Sequence, residues 1–162
     1  MIEELNETIK QGNAAYIAKA IQPTFGWETV VNFLAHCADN EVGEPIGILS
    51  YKLPLADQID SVRPVLEYLN ENINRDVLGV EIYATLTTNS KVIYSGKNDV
   101  LLWNVVGTSM FQIIGGESRT LEPGDLVYIP EGLEYIVKPE TPRAFVLFSL
   151  EKEKEDGADE TL

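Results

Sequence analysis

Residues 122–150 read EPGDLVYIPEGLEYIVKPETPRAFVLFSL, and their turn residues decide how the rest of the chain is read. Pro123-Gly124-Asp125 supplies a tight turn, and Pro130 with Gly132 supplies a second one eight residues later. Between and beyond them lie short runs rich in Val, Ile, Leu, Tyr and Phe: DLVYIP, LEYIVKP and AFVLFSLE. Runs of that length and composition, punctuated that regularly, are strands.

Upstream the pattern continues. VLGVEIYATLTT, KVIYSG, DVLLWNVVG and SMFQIIGG are further β-rich segments set apart by Gly, Asn and Asp. Recurrence about every 8 to 12 residues indicates an antiparallel sandwich or barrel. The first half has a different period. IEELNETIKQGNAAYIAKAI places Leu5, Ile9, Tyr16, Ile17 and Ala20 at roughly helical spacing, with Gly12 weakening the middle. WETVVNFLAHCAD sets Trp27, Val30, Val31, Leu34 and Cys37 on one face of a second helix. EVGEP reads as a turn, IGILSYKL as one strand, and DSVRPVLEYLNENI as a third helix capped by Asp60 or Ser61, with Pro64 in its first turn. The expected architecture is α+β: a helical part over about residues 1–75 packed on a β-barrel core over about 77–150. Residues 1–151 form one domain in this reading, since no flexible linker divides them. Residues 152–162 form an acidic tail without apolar period, expected to be disordered.

Composition narrows the function. The 162 residues carry 26 acids against 12 lysines and arginines, a net charge of −14. That repels nucleic-acid phosphates and anionic lipid, so neither is expected as a partner. No apolar run approaches a membrane span, and the polar N-terminus lacks signal-peptide character. Cys37, the only cysteine, suits a reducing cytoplasm.

The segment LEPGDLVYIPEGLEYIV resembles the second cupin motif, which spaces a glycine, then P-x-G, then a histidine across two intervening residues. Gly124, Pro130 and Gly132 fit in register, and the histidine falls on Tyr135. YATLTTNSKVIYSGKNDVLLWNVVGTSMFQI resembles the front half of the JmjC-like branch, in which H-x-D is followed by an aspartate opening a strand and then Q-x-x-G-x-K-x-W. The matched positions are Tyr94 and Gly96, then Asp99, then Asn104, Gly107, Ser109 and Phe111. The resemblance covers about residues 77–150 and looks like the small cupin-like oxygenases, some of them phage-encoded. It implies a double-stranded β-helix.

Such oxygenases hold Fe(II) with two histidines and a carboxylate and bind 2-oxoglutarate beside it. By resemblance the ligand positions are Tyr94, Gly96 and Tyr135, and the lysine that anchors the co-substrate is Ser109. A plain cupin would add a glutamate near Val100. None of these residues reproduces its counterpart, and His36 is the only histidine in the chain, so a two-histidine site cannot be assembled. His36 and Cys37 are adjacent on a helix and diverge by about 100°; His36 reads as a surface residue. Asp99 reads as a turn-capping residue, Glu134 as solvent-exposed, and Arg143 as a surface arginine, although a late-strand arginine binds 2-oxoglutarate in other branches. Tyr94 and Tyr135 are expected to aim both phenols into the barrel mouth, either plugging an obsolete cavity or lining a small-ligand pocket with Trp103 or Phe111 nearby.

The expectation is a non-catalytic binding or assembly module with no metal and no cofactor. Its candidate pocket comprises Tyr94, Gly96, Tyr135, Ser109, Asn104 and Arg143. The partner is an unknown small molecule or protein, and a homodimer is plausible by resemblance. The alternative is an enzyme with a rebuilt, non-histidine site, using tyrosinate and carboxylate ligands or metal-free acid–base chemistry.

Overall fold

A computed structural model describes residues 1–90 and 92–152. Apart from residue 152, the expected acidic tail lies outside them. The helices are α1 (Ile2–Gln11), α2 (Trp27–Asp39) and α3 (Arg63–Asn72), with a single 3-10 turn at Ala56–Gln58. The strands are β1 (Ala15–Ile17), β2 (Glu44–Gly47), β3 (Ser50–Leu53), β4 (Val77–Thr85), β5 (Ile93–Tyr94), β6 (Val100–Val106), β7 (Ser109–Ile113), β8 (Ser118–Leu121), β9 (Leu126–Ile129), β10 (Tyr135–Pro139) and β11 (Arg143–Leu150).

Two sheets face each other. The larger runs β1-β9-β6-β11-β4-β3-β2 and the smaller β5-β10-β7-β8, with every pairing antiparallel. Alternation along β11 shows how the interior divides. Ala144, Val146, Phe148 and Leu150 join a core shared with Leu5 and Ile9 of α1, Val30, Phe33 and Cys37 of α2, and Leu69 of α3. Phe145 and Leu147 point the other way, into the space between the sheets, with Val100, Leu102, Phe111, Leu121, Val127, Ile129 and Val137. Side chains two apart share a face, so the larger sheet carries the helices on one side and the barrel interior on the other. This is the expected α+β double-stranded β-helix.

Several local expectations change. The first helix ends at Gly12, whose left-handed backbone (φ 71°) lets its N–H close on Thr8 and Ile9 carbonyls. The apolar Tyr16 and Ile17 that read as its continuation instead pair with β9 as a strand. On α2 the buried face runs through Val30, Phe33 and Cys37, and Val31 is exposed. IGILSYKL is not one strand: the chain turns at Ile48-Leu49, with Leu49 at φ 48°, and pairs Glu44–Gly47 back on Ser50–Leu53. The first turn of α3 holds Pro64 as expected, but its N-cap is Val62, without a side-chain cap; Asp60 instead lies 3.6 Å from Arg63. SRTL adds a strand, β8, that the turn pattern does not reveal.

Two aspartates fasten the turns. Buried Asp125 accepts the Tyr16 hydroxyl at 2.7 Å, the Lys19 N–H at 2.9 Å and the Glu122 N–H at 2.8 Å, tying β1 to the turn before β9. Asp99 accepts from Arg75 Nη1 at 2.9 Å, the Tyr128 hydroxyl at 2.9 Å and the Glu131 N–H at 2.8 Å. It thus has the turn-capping role its position suggests. Burial alone would raise its pKa, but these three donors outweigh burial and hold it below the usual carboxylate range.

Candidate functional site

The barrel geometry brings the matched ligand positions together. Tyr94 on β5 and Tyr135 on β10 are direct cross-strand partners, and their rings stack at 5.4 Å between centroids, 20° from parallel. Both are buried. Tyr83 of β4 meets Tyr94 edge-on at 5.5 Å and stacks on Phe145 at 5.0 Å, while Phe111 packs against Tyr135 at 5.9 Å. Aromatic contacts at these distances and angles add attraction beyond the area they bury. Five strands from both sheets, β4, β5, β7, β10 and β11, therefore build one aromatic layer across the barrel.

On the outer side of that layer lies a mouth cavity of about 190 Å³. Tyr83, Tyr94 and Tyr135 form part of its wall, with Lys52, Glu81 and Gly96 around them. Lys52 Nζ stands 3.5 Å from Glu81 and 3.6 Å from Glu44, an ion pair at the rim. Gly96 opens toward the cavity, and the nearest atom to a Cβ placed on it would be the Asn98 carbonyl at 3.6 Å.

On the inner side sits Arg143, and here the sequence expectation is corrected. Arg143 is 1% exposed and does not line the mouth cavity. It shares the barrel-facing side of β11 with Phe145 and Leu147. From there it crosses between the sheets, donating from Nη2 to the Val137 carbonyl at 2.9 Å and to the Tyr94 hydroxyl at 3.3 Å. Its guanidinium lies 4.7 Å from the Phe145 ring centroid. Burial lowers its pKa and the Tyr94 phenol works against that shift. Asn104 and Ser109 are fully buried too, Asn104 donating from Nδ2 to the Gly107 carbonyl at 2.9 Å. Trp103 is not part of this group: it faces the helices, packs against Phe25 and Phe148, and donates its Nε1–H to the Ile21 carbonyl at 2.7 Å. His36 is exposed on α2, stacked on Phe33, and Glu134 is exposed as expected.

The donors at this site do not fit an Fe(II)-binding triad. Gly96 offers no side chain. Burial, followed by the charges of Tyr94 and Glu81, pushes the Tyr135 phenol well above its usual range, so it resists becoming a phenolate ligand. Tyr83 is raised in the same way, by burial first and Glu81 second. No group of three or more His, Cys, Asp or Glu side chains among the described residues is placed to hold a metal ion.

The fold is the cupin/JmjC-like fold of 2-oxoglutarate oxygenases. Among solved structures, the chain is similar to YcfD, a ribosomal oxygenase from Escherichia coli, in complex with cobalt and 2-oxoglutarate, at a TM-score of 0.72 and 12% identity. That match covers 95% of this chain and 53% of YcfD, so the chain spans about half the length of that relative. It is also similar to a prolyl-4-hydroxylase from Pseudomonas putida, at a TM-score of 0.59 and 12% identity over 95% of this chain and 100% of that one. No protein-family model and no curated protein matches the chain. At such identities the likeness carries the fold alone.

Proposed function

We propose that this chain is a non-catalytic, metal-independent binding module built on the oxygenase barrel. One observation carries the reading: the positions that resemble the metal ligands hold two buried, stacked phenols and a glycine. A phenol pair whose members bury each other's faces gains stability by staying neutral and packed, which opposes metal capture. With one histidine in the chain, no rearrangement of the barrel restores a two-histidine site.

In this reading the mouth cavity and the layer beneath it receive a small molecule or a segment of a partner protein, and the acidic surface favours basic protein partners over nucleic acid or anionic membrane. No helix among the described residues is long and apolar enough to cross a membrane. We place the chain in the cytoplasm as one domain with a terminal acidic tail, and a homodimer is consistent with the edge strands β2 and β8. The test is a thermal melt with Mn(II) and 2-oxoglutarate together. An oxygenase site loaded at about 100 times its dissociation constant is stabilised by roughly 2.7 kcal/mol. The module shows no shift; a saturable shift that requires both components contradicts the reading.

A further inference from the structure

A second cavity, of about 300 Å³, opens where β1 ends the larger sheet and β8 ends the smaller. The stacked phenols lie on β5 and β10, at the other end of the smaller sheet. Two cross-strand pairs line this cavity from opposite sheets: Tyr16 with Val127, and Phe111 with Arg119. Direct partners share a face. Phe111 is buried between the sheets, so Arg119 points inward as well. Ile113, two residues along β7 from Phe111, extends the apolar wall.

Arg119 is held in place without an acidic partner. Its guanidinium carbon lies 4.8 Å from the Tyr16 ring centroid. That ring is fixed in turn, since the Tyr16 hydroxyl donates to buried Asp125 at 2.7 Å. Burial, followed by the bond to Asp125, pushes the Tyr16 pKa up to about 12, so the cation rests on a neutral phenol. No Asp or Glu among the described residues stands within ion-pair distance of Arg119. In a chain of net charge −14, a cation without an acid beside it at the rim of an apolar cavity calls for an explanation. An inward charge on an edge strand discourages edge pairing, but that role needs neither a cavity nor a ring beneath the charge. A ring face meets the charge of a guanidinium and leaves its planar N–H fork to a carboxylate.

We propose that this cavity binds a small amphipathic monocarboxylate, with its carboxylate on Arg119 and its apolar body between Val127, Phe111 and Ile113. The volume sets the size: at about 30 Å³ for each water-sized group, the cavity holds on the order of ten non-hydrogen atoms. Glu117 sets the charge, because it lines the same cavity two residues before Arg119 and repels a second carboxylate. The site does not rest on the metal-free reading above. It contains neither the matched metal-ligand positions nor Ser109, and it shares only Phe111 with the aromatic layer.

The experiment is isothermal titration calorimetry of the full chain with phenylacetate, which matches that size and charge. Saturable binding at one equivalent per chain is expected. 2-Phenylethanol, the neutral counterpart, is expected to bind about tenfold more weakly, the change that loss of one charge-assisted bond implies. Homophthalate, which adds a second carboxylate, also binds more weakly than phenylacetate. In Arg119→Met the affinity for phenylacetate falls to that for 2-phenylethanol, while 2-phenylethanol itself binds as before. Four results overturn the proposal: no saturable phenylacetate binding, equal affinity for 2-phenylethanol, homophthalate binding as tightly as phenylacetate, or an unchanged phenylacetate isotherm in Arg119→Met. Should Arg119→Met not fold, phenylglyoxal modification of the unaltered chain, followed by peptide mass spectrometry, decides. Slower modification of Arg119 in phenylacetate than in 2-phenylethanol supports the site, and equal rates overturn it.

Discussion

Asp99→Ala removes the single acceptor that ties together the α3–β4 connection, β9 and the β9–β10 turn. Three donors lose it: Arg75 Nη1 and the Tyr128 hydroxyl, each at 2.9 Å, and the Glu131 N–H at 2.8 Å. The ion pair is largely shielded, with the Arg75 and Asp99 side chains 8% and 17% exposed. Hydrogen bonds to a charged group contribute about 1.5–3 kcal/mol each, but they share one anchor and do not add. Arg75 also keeps its 2.7 Å bond to the Glu151 carbonyl, which softens the loss. The expected cost is about 3 kcal/mol, or roughly 6–12 °C in Tm for a chain of this size. Asp99→Asn, which retains an acceptor but not the charge, costs about half of that. The pH dependence has a definite sign. The folded pKa of Asp99 is lowered, so its stabilisation is fully present above the unfolded carboxylate pKa, about 4, and fades as pH falls through the folded value. Urea unfolding at pH 7 and at steps down to pH 3 therefore shows the gap between the unaltered chain and Asp99→Asn narrowing below about pH 4. A gap that stays constant across that range, or a loss below 1 kcal/mol for Asp99→Ala at pH 7, refutes the assigned role.

Three further outcomes are expected. Gly107→Ala destabilises by about 2 kcal/mol or more, visible in urea unfolding, because Gly107 has φ 72° and a Cβ there would collide with the Pro142 carbonyl. Tyr135→Ala removes one leaf of the stacked pair, costs about 3–5 kcal/mol, and speeds modification of Arg143 by phenylglyoxal, followed by peptide mass spectrometry. Tyr94→His/Gly96→Asp/Tyr135→His places a histidine–carboxylate–histidine set where the barrel already brings positions 94 and 135 into register. It is expected to acquire Co(II) absorption bands absent from the unaltered chain; a folded variant with no cobalt signal shows that the ligand geometry itself has been lost.

The barrel was legible in the sequence because its turns use residues with strong backbone demands. Gly124 and Gly132 have φ 100° and 82°, and their spacing around Pro130 fixes β9 and β10. That the chain holds a single histidine, His36, was equally legible, since it needs only residue identities. What escaped is orientation. RAFVLFSL is apolar on both faces, so alternation could not tell which side Arg143 shares; only the pairing of β11 with β4 and β6 turns it inward with Phe145. DVLLWNVV has the same ambiguity, and there Trp103 faces the helices. The β2–β3 hairpin was hidden because its tip uses Ile48-Leu49, with Leu49 at positive φ, in place of an Asn-Gly signal. The strand at Ala15–Ile17 was hidden because Tyr16 and Ile17 also satisfy a helical period, and pairing with β9 decided the matter.

The central claim is that aromatic packing has replaced metal ligation inside this barrel. Elemental analysis of the full chain, purified without chelator, equilibrated with Fe(II), Mn(II) or Co(II) and desalted, tests it most directly. The account predicts well under 0.1 equivalent of any transition metal, unchanged by Tyr135→Phe, at roughly the level of adventitious surface binding expected without three or four placed ligands. One equivalent per chain, lost when Tyr94 or Tyr135 becomes phenylalanine, would contradict it.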